Sequence, residues 1–175
     1  MRLFVAVNFD DTVKRQLLEI QARLRSQCVK GNFTYPENLH LTLAFLGETG
    51  ENSQEKLSSL VGIIKDVQVP PFEVSFNHTG CFTHSRKELW WIGANKDDPG
   101  LNSLRAIHKE LIKRLLDADF YVDNRSFNPH ITLGRELKHE QKIILNCGEV
   151  KIKVDRISLM KSGHIKGKLT YTELA

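Results

Sequence analysis

Residues 38–47 read NLHLTLAFLG and residues 128–134 read NPHITLG, each with an Asn, a His two positions on and a Thr two positions after that. On a β-strand successive side chains alternate between faces, so His40 and Thr42 share one face while Leu41 and Leu43 take the other. His130 and Thr132 are set against Ile131 and Leu133 in the same way. Imidazole titrates near neutrality, so two histidines at one site can divide a proton transfer. The neutral ring takes a proton from a nucleophile while the imidazolium gives one to a leaving oxygen. Two Thr hydroxyls between them can donate hydrogen bonds to the non-bridging oxygens of an anion, which suits a phosphodiester. A single His-x-Thr is more often a hydrogen-bonded structural pair. Two copies at equivalent points of the chain favour a shared wet cleft, because an unpaired buried polar group costs about 1–3 kcal/mol.

The elements around the motifs repeat. FVAVNFDD leads into a helix with Val13, Leu17, Ile20 and Leu24 at helical spacing, then a break at Gly31-Asn32, a turn at Tyr35-Pro36-Glu37-Asn38 and the strand LHLTLAFL. WWIGANKDD leads into a second helix with Leu101, Leu104, Ile107, His108, Leu111 and Leu115 on one side, then the turn FYVDNRSFNP and the strand HITLGRE. An Asp pair opens each helix and a His-x-Thr strand closes each unit. Two such units packed about an approximate twofold axis would bring both motifs to one cleft. Between them, Ser53 opens a helix-like run to about Lys65, and Pro70-Pro71 precedes a strand near FEVSFNH. EVKIKVDRISLMKS, a Gly163–Gly167 turn and KLTYTELA read as a final hairpin.

With 175 residues the chain suits one compact unit. Its 41% apolar and 26% charged residues are ordinary for a globular protein, and no apolar run approaches the roughly 18 residues of a membrane span. MRLFVAVNFDD lacks the longer apolar region of a signal peptide and reads as a first strand. Cys28, Cys81 and Cys147 are widely spaced, with no CxxC pair, so a reducing cytoplasmic setting is expected. The net charge of +4 favours an anionic partner only weakly.

Zinc sites need three or four protein ligands, and neither motif carries an Asp, Glu, Cys or second His at ligand spacing, so no metal is expected. No GxSxG is present and no cysteine adjoins either His. Tyr35 and Phe127, shortly before each motif His, are candidates to line the cleft and stack on a base. Arg135 either neutralises a phosphate or pairs with a carboxylate such as Glu136. Trp90-Trp91 reads as packing, one ring to each face. His108 is expected partly buried, and His78, His84, His139 and His164 solvated.

NLHLTLAFLGE and NPHITLGRE, with RLFVAV, YPENLHLTL, LWWIGA, and LMKS followed by TY, resemble the two-histidine phosphoesterase superfamily over essentially the whole chain. Within it the chain is most similar to the RNA 2′,3′-cyclic phosphodiesterases, also called the 2′-5′ RNA ligase family. The resemblance implies a bilobal α+β fold: two antiparallel β-sheets with flanking helices, related by a pseudo-twofold repeat around a central cleft, with 1–175 as a single two-lobed domain. It implies hydrolysis of a terminal 2′,3′-cyclic phosphate, on RNA or on a nucleoside 2′,3′-cyclic phosphate, to a 2′-phosphomonoester with no metal or other cofactor. His40 and His130 are the implied catalytic pair, with Thr42 and Thr132 holding the phosphate and Arg135 matching a family Arg. Tyr35 stands where relatives often carry Trp. The expected order has His130 as base toward water and His40 as acid toward the 3′ oxygen, an order the sequence does not distinguish from its reverse. A 2′-5′ RNA ligase running the same site in reverse, and a non-catalytic RNA-end-binding protein, are the alternatives. A monomer with no membrane partner is expected.

Because the motifs supply acid, base and anion donors without a ligand set, turnover of a 2′,3′-cyclic phosphate is expected to persist in excess EDTA. Loss of activity restored by one specific divalent ion would show a metal that the motifs do not account for.

Overall fold

A computed structural model describes residues 2–48, 54–85, 87–123 and 125–175. Strand β1 (Arg2–Asn8) is followed by helix α1 (Asp11–Arg25), whose first turn is capped by the Asp10 carboxylate accepting from the Val13 amide at 2.8 Å. Val13, Leu17, Ile20 and Leu24 are buried along one side, the stripe the sequence predicts. The short strand β2 (Lys30–Phe33) and a single 3₁₀ turn at Pro36–Asn38 lead into β3 (His40–Glu48), the first motif strand. Helix α2 (Gln54–Asp66) follows; its expected start at Ser53 lies outside the described residues. β4 (Phe72–His84) and β5 (Lys87–Ala94) form a long hairpin, then come α3 (Gly100–Asp117) and the second motif strand β6 (His130–Lys138). β7 (Val150–Val154), β8 (Ser158–Ile165) and β9 (Lys168–Glu173) complete the chain.

Two sequence expectations change here. Gly31-Asn32 lies inside β2 rather than breaking the chain, because β2 pairs with β6 and the Leu137 side chain occupies the space where a Cβ at Gly31 would sit. EVKIKV is not part of the final hairpin: β7 pairs with β4 at one edge of the sheet, and the hairpin is β8–β9, turning through Lys166 and Gly167 at positive φ.

The strands form one sheet in the order β7-β4-β5-β6-β3-β1-β8-β9, with β2 also on β6. Two separate sheets were expected. The halves are instead continuous through one antiparallel contact between β3 and β6, at Leu41 and Ile131. These are the second residues of their strands, so β3 and β6 overlap only at their N-terminal ends and run on in opposite directions. Beyond the overlap β6 has β2 as its neighbour, at Phe33–Gly134 and Asn32–Arg135.

Leu41 and Ile131 are fully buried in a cluster that takes in both halves of the sheet and all three helices. Helix α1 packs on β6 and β7, strands of the other half, whereas α3 packs chiefly on β4 of its own half and reaches β3 across the seam. Gln21, the one polar residue in the buried stripe of α1, donates from its amide nitrogen to the carbonyls of Thr34 at 2.8 Å and Leu133 at 2.9 Å. One side chain thereby ties α1 to both the lead-in of β3 and the body of β6. Gln21→Leu keeps the bulk and removes both donors. It is expected to cost about 1–3 kcal/mol, read as a lower urea midpoint; an unchanged midpoint would show that the amide holds nothing.

Candidate active site

The Leu41–Ile131 contact sets the geometry of the motifs. Antiparallel partners place His40 abreast of Thr132 and Thr42 abreast of His130, on the sheet face opposite the two buried aliphatic side chains. Both strands then bulge at the same point. The register slips between Ala44 and Thr42 against β1, and between Gly134 and Thr132 against β5. Consecutive residues Leu43-Ala44 and Leu133-Gly134 are therefore both buried, and alternation restarts one residue later. Strict alternation would send Phe45 and Arg135 to the core; the bulges turn both onto the face that carries the histidines.

Each ring is oriented by its own lead-in. Nδ1 of His40 lies 2.7 Å from the Asn38 carbonyl, and Nδ1 of His130 lies 2.7 Å from the Asn128 carbonyl. A carbonyl only accepts, so both Nδ1 atoms carry the proton and, in the neutral ring, both Nε2 atoms hold a lone pair. Nε2 of His40 accepts from the Thr42 hydroxyl at 2.8 Å. Asn38 is itself buried and fixed to β9, donating to the Leu169 carbonyl at 2.9 Å and accepting from the Tyr171 amide at 3.2 Å. Tyr171 packs edge-on against His40, ring centroids 5.2 Å apart, with Phe4 beside both. On the other side Phe82 packs edge-on against His130 at 5.2 Å, backed by Trp91. Trp91 lies over Gly80, where any Cβ would collide with the indole.

Burial pulls both imidazoles below their ordinary value. For His40 it brings the pKa down to about 4; the Asn38 hydrogen bond opposes this, while the charges of Arg135 and His130 add to it. His130 is lowered for the same first reason, against its bond to Asn128 and with help from Arg135 and Arg125.

The cleft has two halves. One, of about 910 Å³, is bordered by His40, Thr132, Tyr35 and Tyr171, and the other, of about 480 Å³, by His130, Thr42, Phe45 and Phe127; Arg135 borders both. Thus all the sequence candidates line one groove, with differing partners. Arg135 pairs with no carboxylate among the described residues, and Glu136 is taken by Lys87 at 2.5 Å. Tyr35 is 44% exposed, with the Lys168 ammonium 4.1 Å above its ring. Phe127 is stacked on His108, centroids 3.9 Å apart, so one of its faces is occupied. The two Trp rings do diverge: Trp90 packs toward the core and donates to Glu88 at 2.8 Å, and Trp91 faces the cleft side. His84 and His164 are exposed as expected, but His78 lies edge-on to Trp91, and His139 is half-buried with Nε2 2.9 Å from Glu88. Among the described residues no three His, Cys, Asp or Glu side chains gather as a metal-ligand set.

Sequence reasoning passed over Phe45, Phe82, Tyr171 and the positioning part of Asn38. For Phe45 a signal was present: it lies five residues after His40, as Arg135 lies five after His130. For Asn38 the signal was its recurrence as Asn128. Phe82 and Tyr171 reach the cleft from distant strands; nothing in the local sequence marks Phe82, and for Tyr171 the signal was the terminal TY that follows LMKS.

A family model described as the 2′-5′ RNA ligase superfamily matches residues 9–164. The chain is 30% identical over 173 residues to an RNA 2′,3′-cyclic phosphodiesterase of Escherichia coli, covering 99% of this chain and 93% of that one. It is 35% identical over 137 residues to an RNA 2′,3′-cyclic phosphodiesterase of Archaeoglobus fulgidus, covering 77% and 72%. Among solved structures, that of E. coli LigT complexed with 3′-AMP superposes with a TM-score of 0.81 at 27% identity, over 99% of this chain and 95% of that one.

The depressed pKa of His40 carries a stability consequence. The unfolded chain takes up the proton near 6.5 and the folded chain only near 4, so stability is fully present above about pH 6.5 and falls as the pH is lowered toward 4. His40→Gln removes that proton uptake. Urea midpoints at about pH 7 and about pH 4.5 are expected to differ less for the variant than for the parent; equal differences would mean that His40 is not held neutral by the fold.

Proposed function

Because the chain belongs to the 2′-5′ RNA ligase superfamily, we propose that it is an RNA 2′,3′-cyclic phosphodiesterase whose site is built from both motif strands. The observation that carries this is the antiparallel contact at Leu41–Ile131, which sets two His-Thr pairs head to tail on one open face. One two-lobed domain spanning 1–175 is the corresponding unit. A local dyad is inherent in any antiparallel strand pair, and here it runs between Leu41 and Ile131. Matching bulges, matching Nδ1–carbonyl bonds and the matching order of strand, helix and motif strand support its extension to the two lobes.

Water attacks phosphorus in line with the bond to the 3′ oxygen. The P–O3′ bond breaks, the base takes the water proton, the acid protonates O3′, and the phosphate stays on the 2′ oxygen. His130 serves as base: its Nε2 makes no hydrogen bond among the described residues and is open to a water. His40 serves as acid. The negative charge of a bound cyclic phosphate offsets the burial that otherwise holds this ring neutral, so the proton is held while substrate is present and passed on as O3′ departs. Thr42, Thr132 and the unpaired Arg135 guanidinium donate to the equatorial oxygens, where charge builds in the transition state. No step calls for a metal, and the substrate's RNA supplies both the leaving group and the group that keeps the phosphate.

His40→Ala and His130→Ala are each expected to lower single-turnover hydrolysis of a 2′,3′-cyclic end by roughly 10²–10⁴. The double variant should be far less impaired than the product of the two losses, since the rings act on one proton cycle. Thr42→Ala and Thr132→Ala should lose less, because the proton-transfer pair remains. Product separation should show the 2′-phosphate. A folded His→Ala variant that turns over within a few-fold of the parent would assign that His to structure alone.

A further inference from the structure

The two halves of the cleft are not equivalent, although they descend from matching strands. The half beside His130 is the smaller and is walled largely by apolar side chains, among them Phe45, Val122 and Phe127. The half beside His40 is nearly twice as large and extends along β2 as far as Arg25 at the end of α1. Its volume is near the top of the range of about 300–1,000 Å³ for small-ligand sites, more than a cyclic phosphate needs.

Charge along that extension is also uneven. Each carboxylate bordering it is engaged within the protein: Glu136 by Lys87 and the Asn32 amide, Glu88 by Trp90 and His139. Arg125 is held by Asp123. Arg25, however, pairs with no carboxylate among the described residues, and its guanidinium lies 4.2 Å above the Phe33 ring. Seated over the ring, the guanidinium is held in place while its N–H groups remain able to donate, as phosphate recognition requires. Phe33 sits opposite Gly134, two residues along β6 from Thr132. That is a displacement of roughly 7 Å along the strand, the order of one nucleotide of extended chain.

The geometry points to a second nucleotide subsite, resting on the cyclic phosphodiesterase reading above, in which Arg25 stacked on Phe33 holds the phosphodiester immediately 5′ of the cyclic end. The substrate class is accordingly the end of an RNA strand rather than a free nucleoside cyclic phosphate. The cyclic phosphate lies between His40 and His130, the terminal nucleoside on the His40 side toward which O3′ departs, and the strand leaves across β2.

Titration calorimetry with two product-like probes tests this without depending on turnover: adenosine 2′-monophosphate, and a diadenosine dinucleotide carrying a 2′-phosphate at its 3′ end. The parent protein is expected to bind the dinucleotide about tenfold more tightly, the order of one charge-assisted contact. Arg25→Gln should abolish that gain and leave the mononucleotide Kd within twofold. The salt dependence of log Kd for the dinucleotide should also become shallower by roughly 0.7, one phosphate contact on a single strand. If Arg25→Gln weakens both probes equally, or neither, the subsite is overturned while the reading of the central site stands on the binding of both. If the parent protein binds neither probe, the cyclic phosphodiesterase reading fails and the subsite with it.

Discussion

The contact between Leu41 and Ile131 is small, one pair of residues where two strands overlap at their first residues, yet among the described residues it is the pairing that joins β3 to β6. Because the paired side chains are aliphatic and fully buried, the pair cannot rotate to the other face without exposing both. The residues flanking them are thereby committed to the opposite face, where a sheet with helices on one side only is open to solvent. Burial of two aliphatic side chains thus orients four polar ones. A slip of one residue in either strand would send a histidine into the core and a leucine into the cleft, so the register of the site and the register of the core are the same quantity.

Around that contact the protein holds its histidines in an unusually determined state. Each ring has a backbone carbonyl on Nδ1 and an aromatic edge against its side, so tautomer and orientation are set before any ligand arrives. Burial then disfavours the charged form of both. The cost expected of this is sensitivity of the fold to acid; under the proposed function the return is that a substrate's own anionic charge becomes the main influence on where the proton resides. Preorganisation of this kind stabilises charge in the transition state without reorganising solvent.

The likeness of the two motif strands is therefore closest at the centre and looser outward. The bulges agree residue for residue, but they present Phe45 on one strand and Arg135 on the other. The lead-in to β3 carries an extra strand, β2, with Arg25 behind it, while the lead-in to β6 carries Phe127 stacked on His108. A substrate with a direction, a base at one end and a chain at the other, needs such inequality; a perfectly twofold cleft could not distinguish its ends.

Much of this was legible in the amino-acid sequence because it depends on local periodicity. The helical stripe of α1, the Asp that caps it, the strand alternation of His40-Thr42 and His130-Thr132, and the recurrence of one motif in two like settings are all short-range patterns, each set by the geometry of a single element. What tertiary structure alone decided depends on which strands become neighbours. Pairing of β2 with β6 turned a Gly-Asn break into a strand, and pairing of β7 with β4 removed it from the terminal hairpin. The bulges that aim Phe45 and Arg135 are register slips against β1 and β5, invisible in β3 and β6 taken singly. Phe82 and Tyr171 reach the histidines from strands far away in sequence. Alternation within a strand follows from the chirality and bond geometry of its own residues, whereas register, bulges and aromatic packing follow from contacts between residues that no local pattern relates.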